Sequence, residues 1–375
     1  MFEEIKNRFF LWLEKVLPYE EYAIIRSRYC WLTTPKEWKN KYKFSYFLSK
    51  KPEAQKKYCI LRLQMPQYAL FAAGIQYIFM YDWAASRGYT PLLDIEYGYN
   101  FQRYMLGEDN VWEYCFEQSI KVKDAIKKEW VLVEDIGVGE KYRPEICEDI
   151  NGKVDDRFIH VVKEGWREYY KKVNQYIQKM WVFKKHFLEE CKNESTCKIN
   201  KDDKVLGVFL RENFSKDMEK CRSDNAAKEV YRNHPVTIGV KDTVQVVKEY
   251  MKKWNCNKIF LATVVQDSVD LFVEEFGQKV SWIERDRFSF ADVVSDSNIF
   301  WNMSEKELYE RYNEKYGEKY LYNMTLSYAK EIYNLSCCDY LIAAKSSGAA
   351  VALSLNGGKY EDIFILPDFN KIERY

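Results

Sequence analysis

The sequence has no apolar run long enough to cross a bilayer and almost no net charge. Its longest nearly apolar run, residues 68–81, falls short of the about 20 residues that a membrane-spanning helix needs. Lys and Arg number 58 against 57 Asp and Glu, which leaves a net charge of +1. Because a polyanion needs a strongly positive surface, these absences argue against both a membrane-spanning protein and a nucleic-acid-binding protein.

The sequence also lacks paired cysteine motifs and a secretory signal. Its ten cysteines are scattered without Cys-x-x-Cys pairs, and the N-terminus MFEEIKNRFF is charged and has no cleavage site. We therefore expect reduced thiols in a cytoplasmic protein.

Aromatic residues are abundant, at 17% of the chain. They indicate either an aromatic-rich core or a carbohydrate site, in which flat rings cover the apolar faces of sugars. Residues 36–57 hold eight Lys and two Glu among aromatic residues. This segment is either a solvated surface or a contact for an anionic membrane surface or acceptor. The amphipathic first helix either docks on the protein or lies on a membrane.

A chain of 375 residues predicts two domains, which we place at 1–195 and 196–375. In the first, strand 59–64, a helix over 67–85 and strand 90–94 form a strand–helix–strand unit and hence a parallel sheet. Helical spacing of apolar residues over 158–188 predicts one long connecting helix of about 45 Å. A polar stretch over 192–203 follows it and marks the boundary.

Strands and helices alternate through the second half of the chain, which predicts a doubly wound α/β domain. The predicted strands are 204–211, 258–264, 280–284, 339–345 and 362–367. The predicted helices are 242–254, 268–276, 304–316, 320–335 and one from the Ser-Ser-Gly turn to residue 355. The fold class is therefore α/β with two Rossmann-like domains.

Two strand ends in this second domain carry groups suited to an anion. Ser346, Ser347 and Gly348 form a strand-to-helix turn, where small residues and free backbone N–H groups favour a phosphate. Arg211 ends another strand of the same sheet, and its guanidinium fork suits a diphosphate. The alternative for the two serines is simple helix capping. In the first domain, Asp94 ends a strand, where either a ligand contact or a helix cap is expected.

The order of these motifs resembles bacterial relatives of the α-1,6-fucosyltransferases and nodulation fucosyltransferases. The resemblance covers residues 55–367. It is carried by Gly207-Val208-Phe209-Leu210-Arg211, Asn233-His234-Pro235, Leu261-Ala262-Thr263 and the stretch from Cys338-Asp339 to Ser346-Ser347-Gly348. In the first half it is carried by Ile60-Leu61-Arg62, Pro91-Leu92-Leu93-Asp94 and the run from Asn110 to Gln118.

The resemblance implies a GT-B glycosyltransferase that transfers a 6-deoxyhexose from a GDP-sugar, such as GDP-fucose, to a hydroxyl of a glycan or protein. It implies an inverting reaction with no metal and no cofactor, because arginine and helix dipoles stabilise the leaving diphosphate. The donor-binding residues it implies are Arg211, Lys216, His234, Ser346, Ser347 and Gly348. Glu219 and Arg211 would be catalytic, with Glu219 as the carboxylate base. Asp94, Trp112 and Glu113 would lie on the acceptor side.

The sequence departs from the family pattern at several donor-site positions. Glu212, Asn213 and Phe214 replace the residues that usually follow the arginine, and Val264-Val265 replaces an Asp-Asp pair. Glu212 can pair with Arg211 and weaken its pull on phosphate, and Glu219 has the alternative of an ordinary solvated charge. A transferase fold that has lost turnover and serves as a binding or scaffold protein is therefore the second hypothesis. A phosphate-binding enzyme of other chemistry is the third. Oligomeric state stays open.

Overall fold

The computed structural model describes the parts of the chain that build two α/β units. The described residues are 2–18, 21–22, 25, 29, 48–49, 56–63, 81, 84–94, 105–106, 109–128, 130–136, 166–196, 200–210, 239–287, 313–344 and 346–366. Intrachain contacts separate the two units. The predicted domain boundary at residue 195 stays a prediction.

The first unit is built on a four-stranded sheet. Its elements are α1 (Phe2–Val16), β1 (Leu48–Ser49), β2 (Lys57–Leu63), β3 (Thr90–Asp94), α3 (Val122–Lys128) and β6 (Trp130–Ile136). The strand order is β1-β6-β2-β3, with β6, β2 and β3 parallel and β1 antiparallel to β6. The predicted strands β2 and β3 are confirmed, whereas α3 and β6 were not predicted.

The apolar face of α1 is largely open. Leu13 is buried, but Ile5, Phe9, Trp12 and Val16 each keep half or more of their surface exposed. Of the described side chains on its predicted apolar face, Leu13 is therefore buried, Leu17 is half-buried, and the other three are exposed. Both predicted roles for this helix, docking on the protein and lying on a membrane, stay predictions.

The second unit holds the remaining elements. These are β4 (Met105–Leu106), β5 (Asp109–Asn110), α2 (Val111–Cys115), α4 (Trp166–Met180), α5 (Lys185–Asn193), β7 (Val205–Phe209), α6 (Val240–Trp254), β8 (Lys258–Ala262), α7 (Gln266–Phe276), β9 (Val280–Ser281), α8 (Tyr320–Ser336), β10 (Tyr340–Ala343), α9 (Ser347–Asn356) and β11 (Asp362–Ile365). Strands β4 and β5 form a separate antiparallel pair.

A five-stranded parallel sheet forms the centre of the second unit. Its strand order is β11-β10-β7-β8-β9. All five residues of β7 are buried, as expected for a central strand with both faces covered by helices. This strand order is that of a Rossmann-like domain, so the predicted α/β class and doubly wound second half are confirmed.

The single long helix predicted over residues 158–188 is wrong for its described part, because α4 ends at Met180 and α5 begins at Lys185. Between them, Phe183 forms a β-bridge with Phe116, and Lys184 N–H donates to the Cys115 carbonyl at 2.9 Å. Phe183 and its neighbours join an aromatic cluster with Trp112, Phe116 and Trp181. Packing of these rings outweighs the helical periodicity of the sequence.

Asp339 joins three strands at their amino ends. Its carboxylate accepts from Val205 N–H at 2.7 Å, its own N–H donates to the Val205 carbonyl, and its carbonyl accepts from Glu361 N–H. At the opposite edge, Leu210 N–H donates to Ala262 O and Ala344 N–H to Phe209 O, so the pairing extends one residue past each strand. These hydrogen bonds therefore align the carboxyl ends of β7, β8 and β10 at one edge of the sheet.

Candidate functional site

The strand order of the second sheet reverses between β7 and β10. From β7 the chain moves outward through β8 to β9, and then returns through α8 to β10 on the other side of β7. Phe209 and Ala343 are paired directly at the carboxyl ends of these strands. In open parallel sheets, ligands bind in the crevice at such a reversal, outside the carboxyl ends of the strands. The candidate site is therefore this edge.

Helix α9 starts at the candidate site and is fixed at both ends. Its apolar residues from Ala349 to Leu353 are buried, Val351 and Leu353 fully, which is typical of a helix that is hydrophobic on all sides. Its C-terminus is closed by Gly357, whose φ of 67° is left-handed, and by Asn174, whose amide donates to the Ser354 and Leu355 carbonyls at 2.9 Å.

Ser346 caps the N-terminus of α9. Its hydroxyl oxygen accepts from Ala349 N–H at 3.3 Å, and the residue is 4% exposed. The capping alternative is thus realised for Ser346. By helix geometry, the N–H groups of Ser347 and Gly348 have no acceptor inside the helix. The positive end of the helix dipole and these two donors face the strand-order reversal, which is an arrangement suited to an anion.

Gly348 is packed against protein side chains. A Cβ atom built there would overlap the Tyr328 hydroxyl, and would lie 2.9 Å from Phe209 Cζ and 3.1 Å from Ile332 Cδ1. The space that a side chain at residue 348 would need is therefore occupied by side chains of the protein itself. A donor contact of Gly348 through its backbone N–H stays a prediction.

The turn after β8 carries no acidic side chain. Thr263 is buried, and its hydroxyl accepts from Val265 N–H at 3.1 Å. Val265 is fully buried. Val264 and Val265 stand where the family that the motifs resemble has Asp-Asp. Val265 belongs to the core, and neither valine side chain can form a hydrogen bond.

A buried charged cluster lies past the end of β9. Glu331 on α8 pairs with Arg285 Nη1 at 3.1 Å and with Arg287 Nη2 at 3.4 Å, and all three side chains are at most 2% exposed. Arg287 Nε also donates to the Thr263 carbonyl at 3.2 Å, just past the end of β8. Two guanidinium groups thus share one carboxylate at the carboxyl edge of the sheet.

Several predicted site residues lie outside the described part of the chain. These are Arg211, Lys216, Glu219 and His234, and for Ser347 only the backbone is described. Their roles stay predictions. In the sequence, Arg211 directly follows Leu210, the last residue held at the carboxyl edge of β7.

The residues predicted on the acceptor side fall in both units. Asp94 ends β3 in the first unit and is half-buried. Trp112 and Glu113 lie on α2, which belongs to the second unit. Trp112 is 1% exposed and packs edge-to-face on Trp181 in a core. The acceptor-side roles of Asp94, Trp112 and Glu113 stay predictions.

Sequence reasoning missed Tyr328 and the Arg285–Glu331–Arg287 cluster. One signal for the arginines was present, since Arg-Asp-Arg at 285–287 follows directly after a predicted strand. Such positions collect ligand-binding groups in parallel sheets. No pattern in the sequence marks Glu331, which lies within an ordinary helix and becomes buried only through packing.

A cavity of about 520 Å³ lies at the amino edge of the same unit, away from the candidate site. It is lined by Asn174, Phe183, Tyr333, Asp339 and others.

Across the described residues, no helix is long and apolar enough to span a membrane. In that same part of the chain, no group of three His, Cys, Asp or Glu side chains is placed to hold a metal ion.

Comparison with known proteins returns matches only among solved structures. No protein-family model and no curated protein matches the chain. A NodZ α-1,6-fucosyltransferase soaked with GDP-fucose is 12% identical, with a TM-score of 0.38, over 79% of this chain and 92% of that one. The fucosyltransferase NodZ from Bradyrhizobium is 12% identical, with a TM-score of 0.37, over 80% and 92%.

A mutant of Arabidopsis thaliana FUT1 in complex with GDP is 10% identical, with a TM-score of 0.38, over 93% of this chain and 78% of that one. The two NodZ structures are fucosyltransferases, the group that the sequence motifs resemble. Because the TM-scores lie below 0.5, what the second unit binds has to be argued from the residues of this chain.

Proposed function

We propose that this protein is a glycosyltransferase that binds a nucleotide-sugar donor in its second unit. The observation that supports it is the start of α9 beside the strand-order reversal between β7 and β10. The two N–H groups of the first turn that have no acceptor inside the helix, together with the helix dipole, suit a diphosphate. Arg211, which follows the neighbouring strand in sequence, would add a bidentate guanidinium.

The donor we propose is a GDP-sugar, GDP-fucose in the first instance, and the acceptor is a hydroxyl of a glycan or protein. The α9 N-terminus and Arg211 would stabilise the negative charge that develops on the leaving diphosphate, without a metal ion. Glu219 would take the proton of the acceptor hydroxyl as it attacks the sugar from the opposite side, inverting the anomeric carbon.

A binding protein without turnover is the second candidate, and the turn after β8 favours it. Val265 is fully buried and the Thr263 hydroxyl is used within the turn. The valines at 264 and 265 have no polar side-chain atom and cannot restore the hydrogen bonds that a carboxylate would give a donor. A protein that keeps the anion site and lacks these groups can bind a nucleotide without transferring its sugar.

Binding of GDP, GDP-fucose, UDP and ADP to the full chain tests the proposal. We expect GDP to raise the melting temperature, and R211A to weaken GDP binding by about tenfold or more, since a charge-assisted hydrogen bond is lost. R87A, which removes an exposed arginine of the first unit, serves as the control and should bind GDP like the wild type. Absence of binding by all four nucleotides contradicts the donor site.

Turnover separates the two candidates. Release of GDP from GDP-fucose in the presence of glycan or peptide acceptors, lost in E219Q, would support the transferase. GDP binding that depends on Arg211, with no release of GDP across a broad acceptor panel, would support the binding protein.

A further inference from the structure

The cluster of Arg285, Glu331 and Arg287 carries one more positive than negative charge in a buried place. Glu331 is 0% exposed, and its two oxygens are divided between the two arginines. Burying a charged group whose hydrogen-bond donors are not all used is unfavourable.

The two arginines differ in how their donors are used. Arg287 donates through Nε to Thr263 O, through Nη1 to Arg285 O at 3.3 Å, and through Nη2 to Ile283 O at 2.7 Å. Arg285 donates through Nη1 to Glu331. Its Nε and Nη2 are buried and have no hydrogen-bond partner within the described part of the chain. Among the described contacts of the cluster, the donors without a partner therefore belong to Arg285.

The two unpartnered nitrogens lie along the same edge of the planar guanidinium group. Nε and Nη2 donate in parallel, and this side-on fork matches two oxygens of one phosphate or carboxylate. Nη1, on the other side, is held by Glu331, which fixes the orientation of the fork.

The cluster lies beside the candidate donor site. Arg287 is bonded to the residue that follows β8, and β8 is the neighbour of β7 in the sheet. On α8, Glu331 lies one helix turn beyond Tyr328, and residues at this spacing have Cβ atoms about 5–6 Å apart. Tyr328 packs on Gly348 at the start of α9.

We propose that Arg285 binds a phosphate group through Nε and Nη2. The proposal rests on the proposed function only for the source of that phosphate, which would be a nucleoside diphosphate. Because both nitrogens are closed to solvent, the side chains around them must move before the ligand reaches them. No covalent step is involved.

The test compares R285K with the matched variant R287K in the full chain. Binding of inorganic phosphate, pyrophosphate and GDP is measured by calorimetry at constant ionic strength, and folding by thermal melting. Lysine keeps the charge beside Glu331 and loses the fork. We expect R285K to weaken phosphate and GDP binding by about tenfold or more. We expect R287K to lower the melting temperature and retain affinity, since its donors serve the protein's own carbonyls.

A second measurement does not depend on a variant that folds. In the wild type, the Nε–Hε signal of Arg285, assigned by its loss in R285K, should shift on saturation with phosphate. The inference is overturned by an unmoved signal, by equal losses of affinity in R285K and R287K, or by unchanged binding in R285K.

Failure of this inference and failure of the proposed function look different. GDP binding that is weakened by R211A and unaffected by R285K keeps the proposed function and overturns the role of Arg285. Phosphate and pyrophosphate binding that R285K weakens, with GDP bound no more tightly than pyrophosphate, keeps the role of Arg285 and contradicts the nucleotide donor.

Discussion

The phenol of Tyr328 lies so close to Gly348 that a methyl group at residue 348 would overlap its hydroxyl oxygen. The contact joins α8 to the first turn of α9, where the proposed phosphate site begins. Phe209, at the end of β7, packs on the same glycine. Gly348 thus determines how closely the sheet, α8 and α9 approach one another.

We expect G348A to lower the free energy of unfolding by about 1–3 kcal/mol, because an added methyl group forces packed side chains to move. Denaturant unfolding of the purified protein measures the change. The double variant Y328F/G348A removes the overlapping hydroxyl and should recover part of the loss. An alanine at 348 that leaves stability unchanged would show that the three elements can separate without cost.

Ser346 provides a separate test of the α9 N-terminus. S346A should lower the free energy of unfolding by about 1 kcal/mol, because Ala349 N–H loses its acceptor, whereas S346T keeps the hydroxyl and should cost less. The control is S354A in the same helix. Its hydroxyl donates to the Ala350 carbonyl, which already has a helical partner, so little change is expected. Equal effects of S346A and S354A would contradict the capping role.

A buried lysine joins α8 to α5. Lys330 is 4% exposed, and its ammonium lies 2.8 Å from Glu190 and 2.7 Å from Glu194. Tyr114 also donates to Glu190. Burial raises the pKa of Glu190, but the hydrogen bonds from Lys330 and Tyr114 outweigh it and hold the pKa below its usual range.

The lowered pKa of Glu190 predicts how the free energy of unfolding changes with pH. A carboxyl whose pKa is lower in the folded state stabilises the fold above its unfolded pKa of about 4.5, and that contribution is lost as pH falls through the folded pKa. We therefore expect the free energy of unfolding to decrease with acidification below about pH 4.5, and E190Q to reduce this dependence. E189Q removes a neighbouring carboxylate that pairs with exposed Lys185, and should retain the wild-type profile. The same pH dependence of the free energy of unfolding in E190Q and the wild type would contradict the contribution of Glu190.

Sequence patterns predicted the second sheet well because its strands are short apolar segments separated by amphipathic helices. Strands β7, β8, β10 and β11 all fall inside their predicted ranges, and α6 starts two residues earlier than predicted. The prediction failed between α4 and α5. There, helical periodicity continues through Trp181 and Phe183, but both rings are drawn into a cluster with Phe116, which is distant in sequence.

The sequence alone determined the α/β class, the parallel second sheet and the small, capped Ser-Gly turn before α9, because each depends on local periodicity and local turn chemistry. Only the tertiary structure decided that β10 lies beside β7, that Tyr328 fills the space over Gly348, and that two arginines meet Glu331. These relationships join residues separated by tens to more than a hundred positions, and burial gives them their energy. Whether a charge is buried and whether its donors are satisfied depends on which chain segments surround it, and that information exists only after the fold has formed.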